Sequence, residues 1–167
     1  MMYGIFVMVA ILLWSSISKT FFDPSLWTLE IAQFALVTYY IMGGPYAIQL
    51  GSNVRMDLFY HEWSPRRKAQ VDAITVLFLL FYLGVLAHGA LGSLAYSLGH
   101  YKGDTYTFFA GLLTGAEEPG RLERSPTAWR PYLWPIKSIL ALGIVLMLLQ
   151  AISELIKDIA KIREVQL

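Results

Sequence analysis

A basic, turn-rich stretch between two long apolar runs is the feature that most restricts how this sequence can fold. It covers residues 43–68 and holds four of the chain's thirteen lysine and arginine residues. These four are Arg55, Arg66, Arg67 and Lys68. Only Asp57 and Glu62 oppose them, and a short basic loop between two membrane spans stays on the cytoplasmic side. The stretch is therefore predicted to be a cytoplasmic loop.

The composition excludes an ordinary soluble domain. Of the 167 residues, 56% are hydrophobic and 15% are charged, whereas soluble domains carry about 25% charged residues. The formal net charge of +1 does not suit a nucleic-acid-binding protein, which has a concentrated basic face. The absence of cysteine excludes disulfides, thiol chemistry and cysteine-ligated metal sites. The chain is predicted to be an all-α integral membrane protein embedded in the lipid bilayer.

Four apolar segments are predicted to cross the membrane, with both termini on the cytoplasmic side. Their approximate ranges are 3–22, 26–50, 65–98 and 131–157, all within a single domain of residues 1–167. A bilayer requires about 20 residues of helix. A cleaved signal peptide is the alternative for the first segment, but that segment lacks a basic n-region and a clear cleavage site. We expect a short interfacial segment after the second helix and a long periplasmic loop before the fourth.

Local signals refine these helices. Ser64 followed by Pro65 is typical of a helix start, with serine as N-cap and proline in the first turn. Pro45 lacks an N–H group, so a kink is expected near the cytoplasmic end of the second helix. Gly84 and Gly92 lie eight residues apart on the third helix, a spacing that lets another helix approach closely.

The few ionisable groups in the predicted spans have structural as well as functional interpretations. Glu30 either contacts a neighbouring helix or lies near the headgroups as an interfacial carboxylate favoured by the helix dipole. Lys137 opposes the dipole of the fourth helix, so it either snorkels outward or pairs with a carboxylate such as Glu30. His88 is interpreted as a packing or hydrogen-bonding residue, because a haem anchor normally offers two axial ligands in the membrane.

No motif for catalysis or ATP hydrolysis is present. The sequence has no Walker loop, and no Ser-His-Asp or paired-carboxylate arrangement lies within a span. A chain that carries ions or substrate itself usually shows polar groups or broken helices at the membrane midplane. The Gly-Gly-Pro break at residues 43–45 is the one candidate, and it lies near the cytoplasmic side. These features favour a scaffold or binding protein without a cofactor of its own over an enzyme or a self-sufficient carrier.

Two motifs carry a resemblance to a known family. Residues 51–57, GSNVRMD, resemble the G-x-H-V-R-x-D signature of the small membrane subunit (Q, or DctQ-like) of tripartite ATP-independent periplasmic (TRAP) transporters. Asn53 occupies the position of the usual histidine, so no role of an imidazole is carried over. Residues 125–137, SPTAWRPYLWPIK, are similar to the S-x-W-x-P…P-x-K entry to the last helix in one branch of that family. Outside residues 102–124 the resemblance spans most of the chain.

The resemblance implies a multi-pass protein of the bacterial inner membrane that acts as a small scaffold subunit in sodium-driven uptake of an organic acid. Its partners would be a large elevator-type M subunit, which holds the sodium and substrate sites, and a periplasmic substrate-binding protein. This chain would brace the M subunit and help to dock the binding protein. The candidate partner-interface residues are Glu30, Arg55, Asp57, Trp129, Lys137 and Gln150.

Alternatives remain open for both the function and single residues. A membrane-anchor subunit of a respiratory oxidoreductase is the alternative function. Arg55 is equally explained by charge anchoring at the cytoplasmic boundary. The apolar residues 108–113 of the outer loop are expected either to contact the binding protein or to pack against the large subunit.

Overall fold

The computed structural model describes residues 2–23, 25–50 and 63–164, and these ranges confirm the predicted all-α class. Their helices are α1 Met2–Phe21, α2 Thr28–Gln49, α3 Pro65–Ser97, α4 Thr105–Thr114 and α5 Trp134–Glu164. Outside these helices, an isolated antiparallel bridge joins Arg124 and Tyr132. The predicted interfacial segment, with Arg55 and Asp57, lies outside the described residues.

Three of the helices are long and apolar enough to cross a membrane. They comprise Tyr3–Phe21 in α1, Gln70–Ser97 in α3 and Trp134–Arg163 in α5. Helix α2 is 22 residues long but less apolar, because it includes three tyrosines, two glutamines and Glu30. The described part of the chain thus fits a membrane protein with at least three spanning helices.

The ends of α3 follow directly from its sequence. Ser64 adopts an extended backbone and Pro65 begins the helix, as the Ser-Pro pair predicts. With 33 residues, α3 is about 50 Å long, which exceeds the hydrocarbon thickness of about 30 Å. Gly99 follows the helix with a φ of +93°, and a Cβ there would lie 2.6 Å from the backbone nitrogen of Arg121. Glycine is therefore required where the chain turns back beneath residues 120–121.

The four long helices form an open layer in the order α1, α2, α5, α3. Helix α5 packs against both α2 and α3, α1 packs against α2, and the short helix α4 packs against α3. A hydroxyl contact joins α1 to α2, with Thr28 donating to Ser15 at 3.1 Å. Ser18 of α1 donates to the carbonyl of Asp23, in the connection between the two helices, at 2.8 Å. Because the layer does not close on itself, both of its faces stay available to lipid or to another protein.

The buried core is small and consists mostly of alanine. Of the eight hydrophobic residues that are buried in the described part of the chain, five are alanines, and Ala90 and Ala141 form the central cluster with Ile144. Lipid tails are as apolar as leucine, so helices in a membrane associate through close packing rather than through exclusion of water. Small side chains permit that close packing, which explains why alanines lie at the centre of the contact between α3 and α5, with leucines packed around them.

Helices α2 and α5 approach most closely at two glycines. A Cβ on Gly143 would lie 2.8 Å from Cγ1 and 3.2 Å from the carbonyl oxygen of Ile41. A Cβ on Gly44 would lie 2.5 Å from the sulfur of Met147. By contrast, nothing in the described chain lies within 4 Å of a Cβ on Gly84. The close approach predicted at Gly84 and Gly92 is therefore not made to a long helix of this chain.

The apolar segment of the loop between α3 and α5 forms helix α4. Asp104 precedes the helix, and Gly115 ends it in the left-handed conformation with a φ of 74°, as C-terminal glycines commonly do. Phe108 is 2% exposed and stacks on His100 with ring centroids 4.5 Å apart. Leu113, in contrast, is 89% exposed. One face of this segment packs on the protein itself, and only the other face is available to a partner.

The Gly143 contact yields a first prediction. Gly143→Ala should lower the melting temperature of the purified subunit in detergent, since the β-branched Ile41 side chain and its carbonyl cannot yield cheaply. We expect a destabilisation of about 1–3 kcal/mol, typical of overpacking. Gly84→Ala is the matched control, because the same methyl group meets open space and glycine-to-alanine changes favour a helix. Equal melting temperatures for the two variants would contradict the close crossing of α2 and α5.

Candidate functional site

A short hairpin closes one end of the helix layer. Residues 121–133, which we call the capping hairpin, fold back on themselves through the Arg124–Tyr132 bridge and a 2.9 Å bond from Ser125 N to the Pro131 carbonyl. The Glu123 amide donates to the Ser97 carbonyl at the end of α3, at 3.0 Å. The hairpin is thereby attached to α3 and leads directly into α5.

Lys137 binds the capping hairpin from the first turns of α5. Its ammonium group lies 2.5 Å from the Glu123 carboxylate. The Lys137 side chain is 20% exposed and the Glu123 side chain is 26% exposed. The same Nζ donates to the Ser93 carbonyl at 3.4 Å and lies 5.7 Å from the centre of the Tyr96 ring. Of the two alternatives from the sequence, pairing with a carboxylate is observed, but the partner is Glu123 instead of Glu30.

Glu30 is buried beneath the hairpin. Only 5% of the residue is exposed, and its Oε1 accepts a hydrogen bond from Ser125 Oγ at 3.3 Å. Its Oε2 has no hydrogen-bond partner among the described residues. Ser125 Oγ also lies 3.0 Å from Thr127 Oγ1. The contact joins α2 to the hairpin, so Glu30 makes a polar contact within the chain, but with a loop and not with the neighbouring helix of the first interpretation.

The remaining candidates lie apart from one another. Trp129 lies in the turn of the capping hairpin and is 42% exposed. Gln150 lies further along α5 and donates to Glu154 of the same helix at 3.3 Å. The structure therefore gathers Glu30, Trp129 and Lys137 around the capping hairpin and places Gln150 elsewhere. Whether these residues contact a partner stays a prediction, as it does for Arg55 and Asp57.

An open groove of about 740 Å³ lies beside the capping hairpin. Its charged lining residues are Arg121, Glu123, Arg124 and Arg130, and its aromatic ones are Tyr101 and Tyr132. The Arg124 guanidinium lies 4.4 Å from the centre of the Tyr132 ring and also donates to the Tyr132 hydroxyl. The Tyr101 hydroxyl donates to the Arg121 carbonyl at 2.8 Å.

Sequence reasoning missed this arginine groove because it considered the charge of the whole loop. The loop between α3 and α5, residues 98–133, carries four acidic and four basic residues, so its formal net charge is zero. In the structure Glu123 is neutralised by Lys137, while Glu117 and Glu118 lie outside the groove lining. The local excess of arginines arises only after folding has separated these charges. The spacing of Arg121, Arg124 and Arg130 within one hairpin was the available signal.

A smaller groove of about 230 Å³ lies at the opposite end of the layer, between α2, α3 and α5. Its carboxylate-bearing residues are Asp72, Glu154 and Asp158. Lys157 lies 2.7 Å from Glu154, and Lys161 lies 3.3 Å from Asp158. These pairs neutralise most of the acidic lining and belong to one helix face. The described residues contain no group of three or more histidine, cysteine or acidic side chains suited to a metal ion.

His88 joins the short helix α4 to α3. Its Nδ1 lies 2.9 Å from the Tyr106 hydroxyl, and the two rings lie 5.8 Å apart. This agrees with the hydrogen-bonding role predicted for His88.

The long apolar helices define the class of the chain as an all-α membrane protein. A family model described as "Tripartite ATP-independent periplasmic transporters, DctQ component" matches residues 8–161. The chain belongs to this DctQ family of TRAP transporter components, as its two motifs indicated. No curated protein matches the chain.

The hairpin contacts yield a second prediction, tested by a double-mutant cycle on Glu123 and Lys137. Lys137→Met leaves a partly buried carboxylate unpaired, and Glu123→Gln leaves an unpaired ammonium, so each single change should destabilise the subunit. The double variant should recover part of the loss, with a coupling energy of about 0.5–3 kcal/mol. Thermal unfolding in detergent measures these values. Strictly additive losses would show that the two side chains do not interact.

Proposed function

We propose that this chain is the small scaffold subunit of a sodium-driven TRAP transporter for an organic acid. In this proposal it braces the large elevator-type M subunit, which holds the sodium and substrate sites, in the bacterial inner membrane. It also helps to dock the periplasmic binding protein. The observation that supports the proposal most is the open single layer of long helices in a member of the DctQ family.

The open layer argues for a scaffold because it leaves large apolar faces uncovered. On α3 the exposed face includes Phe78 and Phe81, which are 69% and 74% exposed, and Ile74, at 58%. In a membrane such a face contacts lipid or another protein's helices. Helices arranged in one layer do not surround a path, and an ion site needs several oxygen ligands at short range. The M subunit is therefore expected to supply the transport path.

We further propose that α2 crosses the membrane, which gives four spans with both termini in the cytoplasm. Helix α2 packs between α1 and α5, so a helix confined to one surface would leave both neighbours without their contact in the hydrocarbon. The basic residues Lys157, Lys161 and Arg163 near the end of α5 and the basic start of α3 favour a cytoplasmic location of these ends. The capping hairpin then lies on the periplasmic side.

The candidate interface residues divide by their environment. Trp129 is exposed, and it is the candidate at the hairpin best placed for direct contact with a partner. Glu30, Lys137 and Gln150 already have partners within the chain, so their proposed role is to hold the surface that the partner meets. Arg55 and Asp57 are proposed to fix the cytoplasmic end of α2 against the partner or against α3.

The respiratory-anchor alternative gains no support. The family is one of transporter components, and His88 is engaged by Tyr106.

Topology provides a third prediction, and the absence of cysteine makes single-cysteine labelling clean. Phe22→Cys and Ser64→Cys lie before and after α2, and Thr114→Cys is at the last residue of α4; all three native side chains are exposed. An impermeant thiol reagent on spheroplasts should label positions 22 and 114 but not 64. Labelling of both 22 and 64 would show that α2 does not cross. Labelling of 64 without 114 would show the opposite orientation.

Association with the M subunit tests the scaffold role itself. Affinity-tagged M subunit should retain this chain through detergent purification, and Phe78→Asp on the exposed face of α3 should reduce its recovery. A surface change on the proposed periplasmic side, Lys102→Gln, is the control. Failure of the unaltered chain to co-purify under any mild detergent would contradict the scaffold assignment.

A further inference from the structure

The arginine groove beside the capping hairpin has a chemistry that the scaffold role does not require. We propose that it binds carboxylate side chains of the periplasmic binding protein. The inference rests on the proposed function, which places the hairpin on the periplasmic side. Beyond the proposed function, the inference names the docking site, the negative charge of the partner surface and the arginines that recognise that surface.

The groove carries a positive charge that its surroundings do not neutralise. Its lining contains three guanidinium groups and one carboxylate, and that carboxylate, on Glu123, is bound by Lys137. The carboxylate of Glu30 is not part of the lining and accepts a hydrogen bond from Ser125. Guanidinium groups form planar forks that match carboxylates, with two parallel hydrogen bonds. Anionic oxygens are thus the ligands that this lining selects.

One arginine side chain of the groove, that of Arg124, is held in place before any ligand arrives. The Arg124 guanidinium lies over the Tyr132 ring and donates to its hydroxyl. The Arg121 main chain is fixed by the Tyr101 hydroxyl. A side chain that is already ordered loses less entropy on binding, so Arg124 is preorganised for recognition, and the backbone that carries Arg121 is fixed.

Arg130 shows strain at this same place. Its φ of 50° makes it the one residue other than glycine with a positive φ in the described ranges. Glycine or asparagine adopts this conformation more easily, and a longer side chain there costs on the order of 1 kcal/mol. Strained backbone of this kind concentrates at binding sites. The arginine at position 130 therefore indicates a use for its charge that is separate from folding.

A protein surface fits the groove better than a lipid headgroup does. A phospholipid would need apolar walls for its acyl chains beside the arginines, but the aliphatic lining consists of Leu122 and Pro126. The volume of about 740 Å³ also exceeds what one phosphate group fills. A projecting acidic loop of a binding protein supplies several carboxylates to a groove of this size.

The test uses the complex of both membrane subunits in liposomes, with the binding protein encoded with the transporter as the probe. Arg121→Gln and Arg130→Asn remove charge, and asparagine at position 130 also relaxes the backbone. Each should raise the binding-protein concentration needed for half-maximal uptake about two- to fivefold, as expected for the loss of one exposed ion pair. Arg130→Lys keeps the charge and should retain most of the docking.

Lys102→Gln is the matched control, because it removes the same charge from an exposed site outside the groove lining. It should leave the concentration dependence unchanged. Raising the salt concentration should weaken docking more in the unaltered complex than in the arginine variants, since fewer charge contacts remain to be screened. Arg121→Glu should weaken docking, and changing the acidic residue of the binding protein that contacts it to lysine or arginine should restore docking.

Three results would overturn the inference. An unchanged concentration dependence in a complete complex would show that the groove does not dock the binding protein, while the scaffold role stands. Loss of M subunit from the purified arginine variants would assign the groove to the membrane-subunit interface. A shift seen only in vesicles that contain anionic phospholipid would assign it to lipid headgroups. Failure of the unaltered chain to join the M subunit would instead refute the proposed function.

Discussion

The ion pair between Lys137 and Glu123 is the interaction on which the capped end of this protein depends. A lysine in the first turns of a helix opposes the helix dipole, and a partly buried ammonium group is costly unless it is paired. Glu123 removes that cost and brings the capping hairpin onto α5. Because the Glu123 amide also bonds to the end of α3, one residue joins two long helices to the hairpin.

The position of the hairpin then determines the site. Arg124 and Ser125 follow Glu123 directly, and their side chains point to different partners, Tyr132 for the arginine and Glu30 for the serine. The Glu30 contact extends the connection to α2. The second carboxylate oxygen of Glu30 is buried and has no hydrogen-bond partner among the described residues. Small residues at the α2–α5 and α3–α5 contacts complete the scaffold.

Much of the fold was predictable from the sequence, whereas the site was only partly so. Apolar runs and the Ser64–Pro65 pair gave the long helices because local composition and capping chemistry decide them. The partner of Lys137 was not predictable: Glu123 lies in an irregular loop, and only the fold brings it to α5. The arginine groove was hidden because the loop is neutral as a whole. Among the described residues the close glycine contact is made by Gly143 and not by Gly84, because helix spacing identifies small residues but not the neighbours they meet.

The central claim is that this chain is a required scaffold without a transport path of its own, and subunit omission in liposomes tests it most directly. Vesicles with an imposed sodium gradient, binding protein and candidate organic acids should accumulate substrate when both membrane subunits are present. Vesicles that contain this chain alone should accumulate none, and vesicles with the M subunit alone should show a large loss of uptake. Sodium-dependent uptake by this chain alone would contradict the account.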